Sequence, residues 1–163
     1  MGRLEFLKQS LPTIVAQPHS SCVVVDYSCP ERAGDWVRKS YPEVKVVSVE
    51  GQTRFNLSAA RNAGLAAASG PWICYFDCDV LFAPSFVETV GGQLAAGCYY
   101  HPAPRTDMGL WGTILVARDA IDRVGGYDEI YQGWGDDDID FVTALEFAEQ
   151  QGHRWVTETL RGL

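Results

Sequence analysis

Short apolar runs alternate along this chain with segments of helical periodicity. Leu4, Leu7, Leu11 and Val15 recur at helical spacing, which predicts a helix over 4–15, kinked or ended by Pro12. The unbroken apolar run in "CVVVDYS" closes on Asp26 and reads as a buried parallel strand. Residues 30–40 read as a helix and "VKVVSV" as a second strand. "FNLSAARNAGLAAASG" predicts a helix capped by Asn56 and stopped by Gly70. "WICYFDCDV" is a third clear strand. Pro84 to Ala95 reads as a helix with proline in its permitted first turn. "TILVAR" is a strand, and Asp119 to Val124 a short helix. Asp136 to Gln151 reads as the last long helix, closed near Gly152, and "RWVTET" as a final short strand.

Strands that alternate with helices predict an α/β fold, a mostly parallel Rossmann-like sheet with helices on both faces. No repeat, linker or low-complexity tract divides the 163 residues, so one domain over 1–163 is expected. Ligands of such sheets bind outside the carboxyl ends of the strands. Asp26 closes one strand, and Asp77 and Asp79 close another.

Composition narrows the classes. A net charge of −8 argues against a nucleic-acid partner or an anionic membrane surface. An anionic ligand must then be met locally, by a metal, an arginine or a helix N-terminus. No apolar run has the length of a membrane span, and Met1 to Ser10 lacks the apolar core of a signal peptide. Five cysteines (22, 29, 74, 78 and 98) follow no framework spacing. They read as reduced thiols of a cytoplasmic protein rather than a zinc site. On a strand, Cys74 and Cys78 would both face the core while Asp77 points away.

Two acidic motifs carry the chemistry. In "YFDCDV" two carboxylates one residue apart would point the same way from one strand. They repel unless a cation or a proton lies between them. Alone, the pattern is weak, since aspartate is common at strand ends. The second motif, "GWGDDDID", sets Asp136, Asp137, Asp138 and Asp140 at a helix start. The helix dipole favours each by only about 0.3–1 kcal/mol, less than four mutually repelling charges call for. Trp134, flanked by glycines, reads either as a stacking platform or as a buried structural residue.

Two reactions use such a pair. In glycosyl transfer, Mg²⁺ or Mn²⁺ on Asp77 and Asp79 bridges the donor phosphates, and a carboxylate of the second motif takes the acceptor proton. In phosphoryl transfer of the haloacid-dehalogenase kind, Asp77 is nucleophile, Asp79 is acid, and "GDDDID" holds Mg²⁺. Against the second stand two facts: no lysine follows Lys45, and some seventy residues precede the motif.

"FNLSAARNAGLAAASGPWICYFDCDV", "VGGYDEIYQGWGDDDIDF" and "VVVDYS" together resemble the inverting family-2 glycosyltransferases of the glycosyltransferase-A fold, a nucleotide-diphospho-sugar transferase-like fold. The family patterns are Arg-Asn-x-Gly, an apolar strand into a DxD, Gly-Gly-Phe-Asp-Glu, Gly-Trp-Gly-x-Glu-Asp and Val-Val-Asp-x-Ser. The resemblance implies that Asp26 contacts the nucleotide base and Arg61 the base or diphosphate. It makes Asp77 and Asp79 the metal ligands, with Asp79 the more direct. It makes Asp137 the catalytic base, where the family has Glu, and has Asp138 hold the acceptor hydroxyl or orient the base. Trp134 would line the sugar or acceptor pocket. A UDP-hexose or hexosamine donor, a glycan or other hydroxyl acceptor and Mn²⁺ or Mg²⁺ are the implied partners.

Three departures from the family pattern are visible. Arg3 stands at the arginine that normally follows the first apolar strand, so that strand is missing and the fold reads as N-terminally truncated. Its neighbours would close on each other, or another chain, such as a homo-oligomer partner, would complete the sheet. Failing both, the protein is a catalytically impaired nucleotide-binding remnant. The histidine expected beyond the last helix as a metal ligand is absent there. His153 comes too early, and His19 and His101 are no better placed. Ala144 stands where an arginine is usual in the last helix.

Overall fold

The computed structural model describes residues 2–103, 110, 112–132, 135–148, 151–156 and 160–162. The predicted helix over 4–15 forms as α1 (Leu4–Val15) and runs through Pro12. One proline removes a single N–H from the ladder, and the amide of Ala16 still bonds the Pro12 carbonyl at 3.3 Å. Strand β1 (Val23–Tyr27), helix α2 (Ala33–Ser40) and strand β2 (Lys45–Val49) follow as expected. β1 and β2 pair in parallel, with Asp26 opposite Ser48. Helix α3 (Leu57–Ala67) starts where the sequence placed it, with Asn56 Oδ1 accepting the Ala59 N–H at 2.8 Å. It ends before Gly70: the C-cap, Ala68, is already extended.

"WICYFDCDV" is not one strand. It splits into β3 (Trp72–Tyr75) and β4 (Val80–Phe82), joined by a turn in which the Val80 N–H meets the Asp77 carbonyl at 3.2 Å. The chain leaves one sheet here and joins another, so strand alternation aims Cys74 but not Asp77, Cys78 or Asp79. Cys74 packs beside the core around Phe82 and Leu115, Cys78 beside the one around Leu11 and Val37. All five cysteines are free. Burial pushes the Cys22 thiol up to about 11 and Cys74 to about 12, which makes both poor nucleophiles.

Helix α4 (Phe86–Gly91) is shorter than predicted. Strand β5 (Cys98–Ala103) was not predicted. Strand β6 (Ile114–Ala117) and helix α5 (Arg118–Val124) match their predictions. Helix α6 (Asp137–Phe147) stops early, because Gln151 already opens β7 (Gln151–Val156). A short β8 (Leu160–Gly162) completes the described chain.

The result is an α/β architecture whose strands form three sheets: β1–β2, β3–β6–β5–β7 and β4–β8. Parallel pairing is confined to β1–β2 and β5–β7, whereas β6 runs antiparallel to both its neighbours and β4 to β8. No strand lies between β1 and β3 among the described residues. Among those residues, no helix is long and apolar enough to cross a membrane.

Two polar devices position the strand ends. From α1 and the turn that follows it, Ser10 donates to the Cys78 carbonyl (2.6 Å), Thr13 Oγ1 accepts the Phe82 N–H (3.0 Å) and Gln17 donates to the Ala83 carbonyl (2.9 Å). These bonds fix the backbone on both sides of Asp79. Arg118, at the end of β6, donates to the carbonyls of Ala68 (2.7 Å) and Gly70 (3.2 Å). It satisfies acceptors at the open end of α3 and locks that helix to the β3–β6 pair. Replacing it by methionine, Arg118→Met, is expected to lower unfolding free energy by about 1–3 kcal/mol. Urea denaturation checks this, with a reduced midpoint and an unchanged slope.

Candidate active site

The site is organised around one buried cation. Arg61 projects from α3 and is 7% exposed. One guanidinium nitrogen donates to the Tyr127 hydroxyl at 2.7 Å and to Asp138 Oδ1; the other donates to the Gly112 carbonyl at 2.9 Å. That second nitrogen lies 3.5 Å from Asp77 Oδ1. The guanidinium also sits 4.9 Å from the Tyr127 ring centre and 5.9 Å from that of Tyr75, within cation–π range. Burial alone would lower its pKa, but Tyr127, Asp138 and Asp77 raise it further than burial lowers it. Arg61 is therefore charged at every working pH.

The neighbouring residue in the sequence does the companion task. Asn62 donates to the Tyr127 carbonyl (2.9 Å) and to Glu129 (2.9 Å), and its Oδ1 accepts the Tyr127 N–H (3.0 Å). This clamp holds the "GGYDE" segment against α3. Gly126 has φ +83°, and a Cβ there would lie 2.7 Å from Asn62 Oδ1, so glycine is required. Gly112 is required too. A Cβ there would lie 2.6 Å from Arg61, 3.3 Å from Asp138 Oδ2 and 3.4 Å from Asp77 Oδ2. The two acidic motifs thus converge on one point beside Arg61.

Each carboxylate of the first motif has its own arginine. Asp77 faces Arg61, whereas Asp79 Oδ2 pairs with Arg3 at 2.7 Å. Repulsion between neighbours is thereby offset without strand geometry. Desolvation still raises the Asp77 pKa, Asp79 and Asp138 add to the rise, and Arg61 and Arg3 oppose it. Asp137 is buried at the start of α6, and desolvation followed by the charge of Asp138 raises its pKa. Asp138 accepts from both Arg61 and the Tyr127 hydroxyl. Asp140 accepts from Tyr131 at 3.2 Å. Asp136 turns the chain into the helix with φ +64°, a conformation aspartate tolerates better than most residues.

Asp26 lies near the end of β1 and lines the same cavity as Arg61 and Asp77, without a hydrogen bond to either among those observed. Its Oδ1 accepts the Cys29 N–H (2.8 Å) and its Oδ2 the Gly34 N–H (2.7 Å). The carboxylate thereby serves the first turn of α2, whose own N-cap, Arg32, makes no side-chain cap. Each oxygen retains a second lone pair. Trp134 lies outside the described residues, as does the side chain of His153. His101 is buried in β5, stacked on Tyr99. Among the described residues no group of three His, Cys, Asp or Glu forms a metal-binding cluster.

Sequence reasoning missed Tyr127, Gly112 and the Arg3–Asp79 pair. One signal was present: "GGYDE" carries tyrosine where the family pattern has phenylalanine, and the added hydroxyl bridges Arg61 and Asp138.

With this geometry in place, comparison with known proteins is informative. Residues 2–117 match the family described as glycosyl transferase family 2, and residues 98–161 match "N-terminal domain of galactosyltransferase". Validoxylamine A glucosyltransferase of Streptomyces hygroscopicus subsp. jinggangensis (strain 5008) is 24% identical over 85% of this chain and 48% of its own length. The mannosyltransferase PcManGT from Pyrobaculum calidifontis, in complex with GDP-Man and Mn²⁺, superimposes with TM-score 0.74. That alignment has 18% identity and covers 94% of this chain and 51% of that one. TarS (1–349) of S. aureus gives TM-score 0.76 at 14% identity over 95% of this chain and 56% of that one. The chain therefore spans about half the length of the relatives it matches. Its fold is that of the glycosyltransferase-A enzymes, and by the match over residues 2–117 it belongs to glycosyl transferase family 2.

Proposed function

We propose that this chain forms a single donor-binding domain of a metal-dependent, inverting glycosyltransferase. It would move a hexosyl or hexosaminyl group from a UDP-sugar to an acceptor hydroxyl. The observation that carries the proposal is the bridge made by Arg61, which brings Asp77 and Asp138 together from segments far apart in sequence. Family membership favours glycosyl over phosphoryl transfer, so the phosphatase alternative is set aside.

The residues divide the work by their surroundings. Asp77 and Asp79 offer hard carboxylate oxygens, the donor set that Mn²⁺ and Mg²⁺ take together with substrate phosphates. The Arg3 partner of Asp79 is half-exposed, so it can swing into solvent and free that carboxylate. A divalent ion held there would neutralise charge on the leaving diphosphate. Arg61 stays with Asp77 and Asp138 and keeps the two motifs in register. Asp26, pinned by two amides, offers its remaining lone pairs to the base. Asp137 accepts the proton of the acceptor hydroxyl as its oxygen bonds to the anomeric carbon and the bond to the diphosphate breaks. Asp138, already oriented by Arg61 and Tyr127, steers that hydroxyl or the base. Trp134 supplies an aromatic face to the sugar or acceptor.

Among the described residues β1 pairs on one edge alone, which favours one second reading, a remnant that binds nucleotide without turnover. Calorimetry with UDP and Mn²⁺, alongside transfer assays, separates the two: binding with no transfer to any of a panel of acceptors supports the remnant.

Asp137→Asn is expected to lower kcat about 10²–10⁴-fold with little change in donor KM. Asp79→Ala is expected to lose Mn²⁺-dependent donor turnover, and equal turnover in wild type and this variant would overturn the proposal. A base works deprotonated, so its raised pKa places the acid limb of the kcat profile above the ordinary aspartate range. Asp138→Asn removes the repelling charge and should move that limb to lower pH, whatever its effect on the maximum rate.

A further inference from the structure

Tyr127 is fixed in its backbone, its ring and its hydroxyl at once. Asn62 accepts its N–H (3.0 Å) and donates to its carbonyl (2.9 Å). Its ring lies flat on Phe141 of α6, with centroids 4.1 Å apart and planes at 17°, and meets Tyr75 of β3 in a T-shaped contact at 5.3 Å. None of that packing needs the hydroxyl, since a phenylalanine would make the same ring contacts. The residue is 3% exposed, and a hydroxyl taken from water costs free energy unless it is bonded. Here it accepts from Arg61 at 2.7 Å and donates to Asp138 Oδ1 at 3.1 Å. Burial pushes its pKa well above the usual phenol value, so the donor is kept at every working pH. Tyr75 is the contrast. It too is buried with its ring near Arg61, yet its hydroxyl has no hydrogen-bond partner among the described residues.

This arrangement treats the two oxygens of Asp138 differently. Oδ1 takes both donors, Arg61 and Tyr127. Two donors from separate segments, one of them on a rigid ring, fix the carboxylate against rotation. Among the described residues Oδ2 accepts no hydrogen bond, and the side chain keeps 26% exposure. Oδ2 lies on the side toward the first acidic motif. The point where a Cβ on Gly112 would sit is 3.3 Å from Asp138 Oδ2 and 3.4 Å from Asp77 Oδ2. The oxygen left for a ligand is therefore held in one place by the two bonds to its twin.

We propose that Tyr127 is a positioning residue that favours an acceptor hydroxyl over water: its hydroxyl ties Asp138 Oδ1 to Arg61 and so holds Oδ2 where the acceptor is oriented for attack. This rests on the reading of the site as a glycosyltransferase centre with Asp137 as base. In transfer and in hydrolysis alike, the bond from the anomeric carbon to the diphosphate breaks and the nucleoside diphosphate leaves with the electron pair. The new bond forms to the acceptor or water oxygen, and Asp137 takes its proton. An acceptor sugar attacks only from one orientation, and rate is readily lost when that orientation is not held. Water brings its oxygen in any orientation. A carboxylate free to rotate therefore slows transfer more than hydrolysis.

The test uses the full chain with Mn²⁺, with UDP-glucose, UDP-galactose or UDP-N-acetylglucosamine as donor and a panel of p-nitrophenyl glycosides as acceptors. Released UDP reports both fates of the donor, and the extended glycoside reports transfer alone. Tyr127→Phe is expected to lower the ratio of transfer to hydrolysis about tenfold, with donor KM within about twofold of the wild-type value. Asp138→Asn should lower the ratio by itself. Tyr127→Phe added to it should change nothing further, because the hydroxyl acts through that carboxylate. A second measurement needs no turnover. The NMR signal of the Asp138 carboxyl carbon, identified by its loss in Asp138→Asn, should shift in Tyr127→Phe while the rest of the spectrum stays that of the folded chain. An unchanged ratio, an unmoved carboxyl signal, or a drop that persists in the Asp138→Asn background would overturn the proposal alone. Wild type that transfers sugar from none of these donors would instead overturn the reading beneath it, and the proposal with it.

Discussion

A single buried guanidinium governs the arrangement of this molecule. Arg61 leaves α3 and meets carboxylates, a phenol and a carbonyl that come from four different segments. Burying a cation costs several kcal/mol unless its partners are close and every N–H is used. Those partners therefore cannot drift apart without exposing an uncompensated charge to a low-dielectric interior. The turn after β3, the approach to β6, the "GGYDE" segment and the start of α6 are held together by this requirement. Asn62, one residue on, fastens the "GGYDE" segment by three further bonds. Two adjacent side chains on one helix thus assemble most of the site.

The same electrostatics explains why two aspartates can sit one residue apart. Each has its own arginine. The turn aims one at α3 and the other at α1, and each finds an arginine of different burial. Arg61 is almost fully enclosed and Arg3 about half-exposed. The enclosed pair is fixed, and the exposed pair is exchangeable, as screening by solvent weakens it. Helix α1 and the turn after it support this pairing through the bonds of Ser10, Thr13 and Gln17 to the backbone around β4.

The cavity of about 880 Å³ between β1 and β3 is the other feature that shapes the molecule. Residues of α1 and α3 line it together with those of β1 and β3. Asp26 and Asp77 both line it.

Local sequence determined a good deal. Apolar spacing and caps fixed α1, β1, β2, α3, β6 and α5 close to their observed bounds, because period and capping act over a few residues. The two acidic motifs and Arg61 were visible for the same reason: each lies in a contiguous pattern. Other features needed the folded chain. β5 was missed because "CYYHPA" mixes aromatics with His and Pro, and only pairing with β6 and β7 makes it a strand. β4 and β8 exist only as each other's partners. The break after Tyr75, the two separate arginines for Asp77 and Asp79, and the use of Asp26 to cap α2 were likewise decided by tertiary structure. Charge pairing and strand pairing join residues dozens of positions apart, and nothing in a local pattern states which distant partner the fold will bring near.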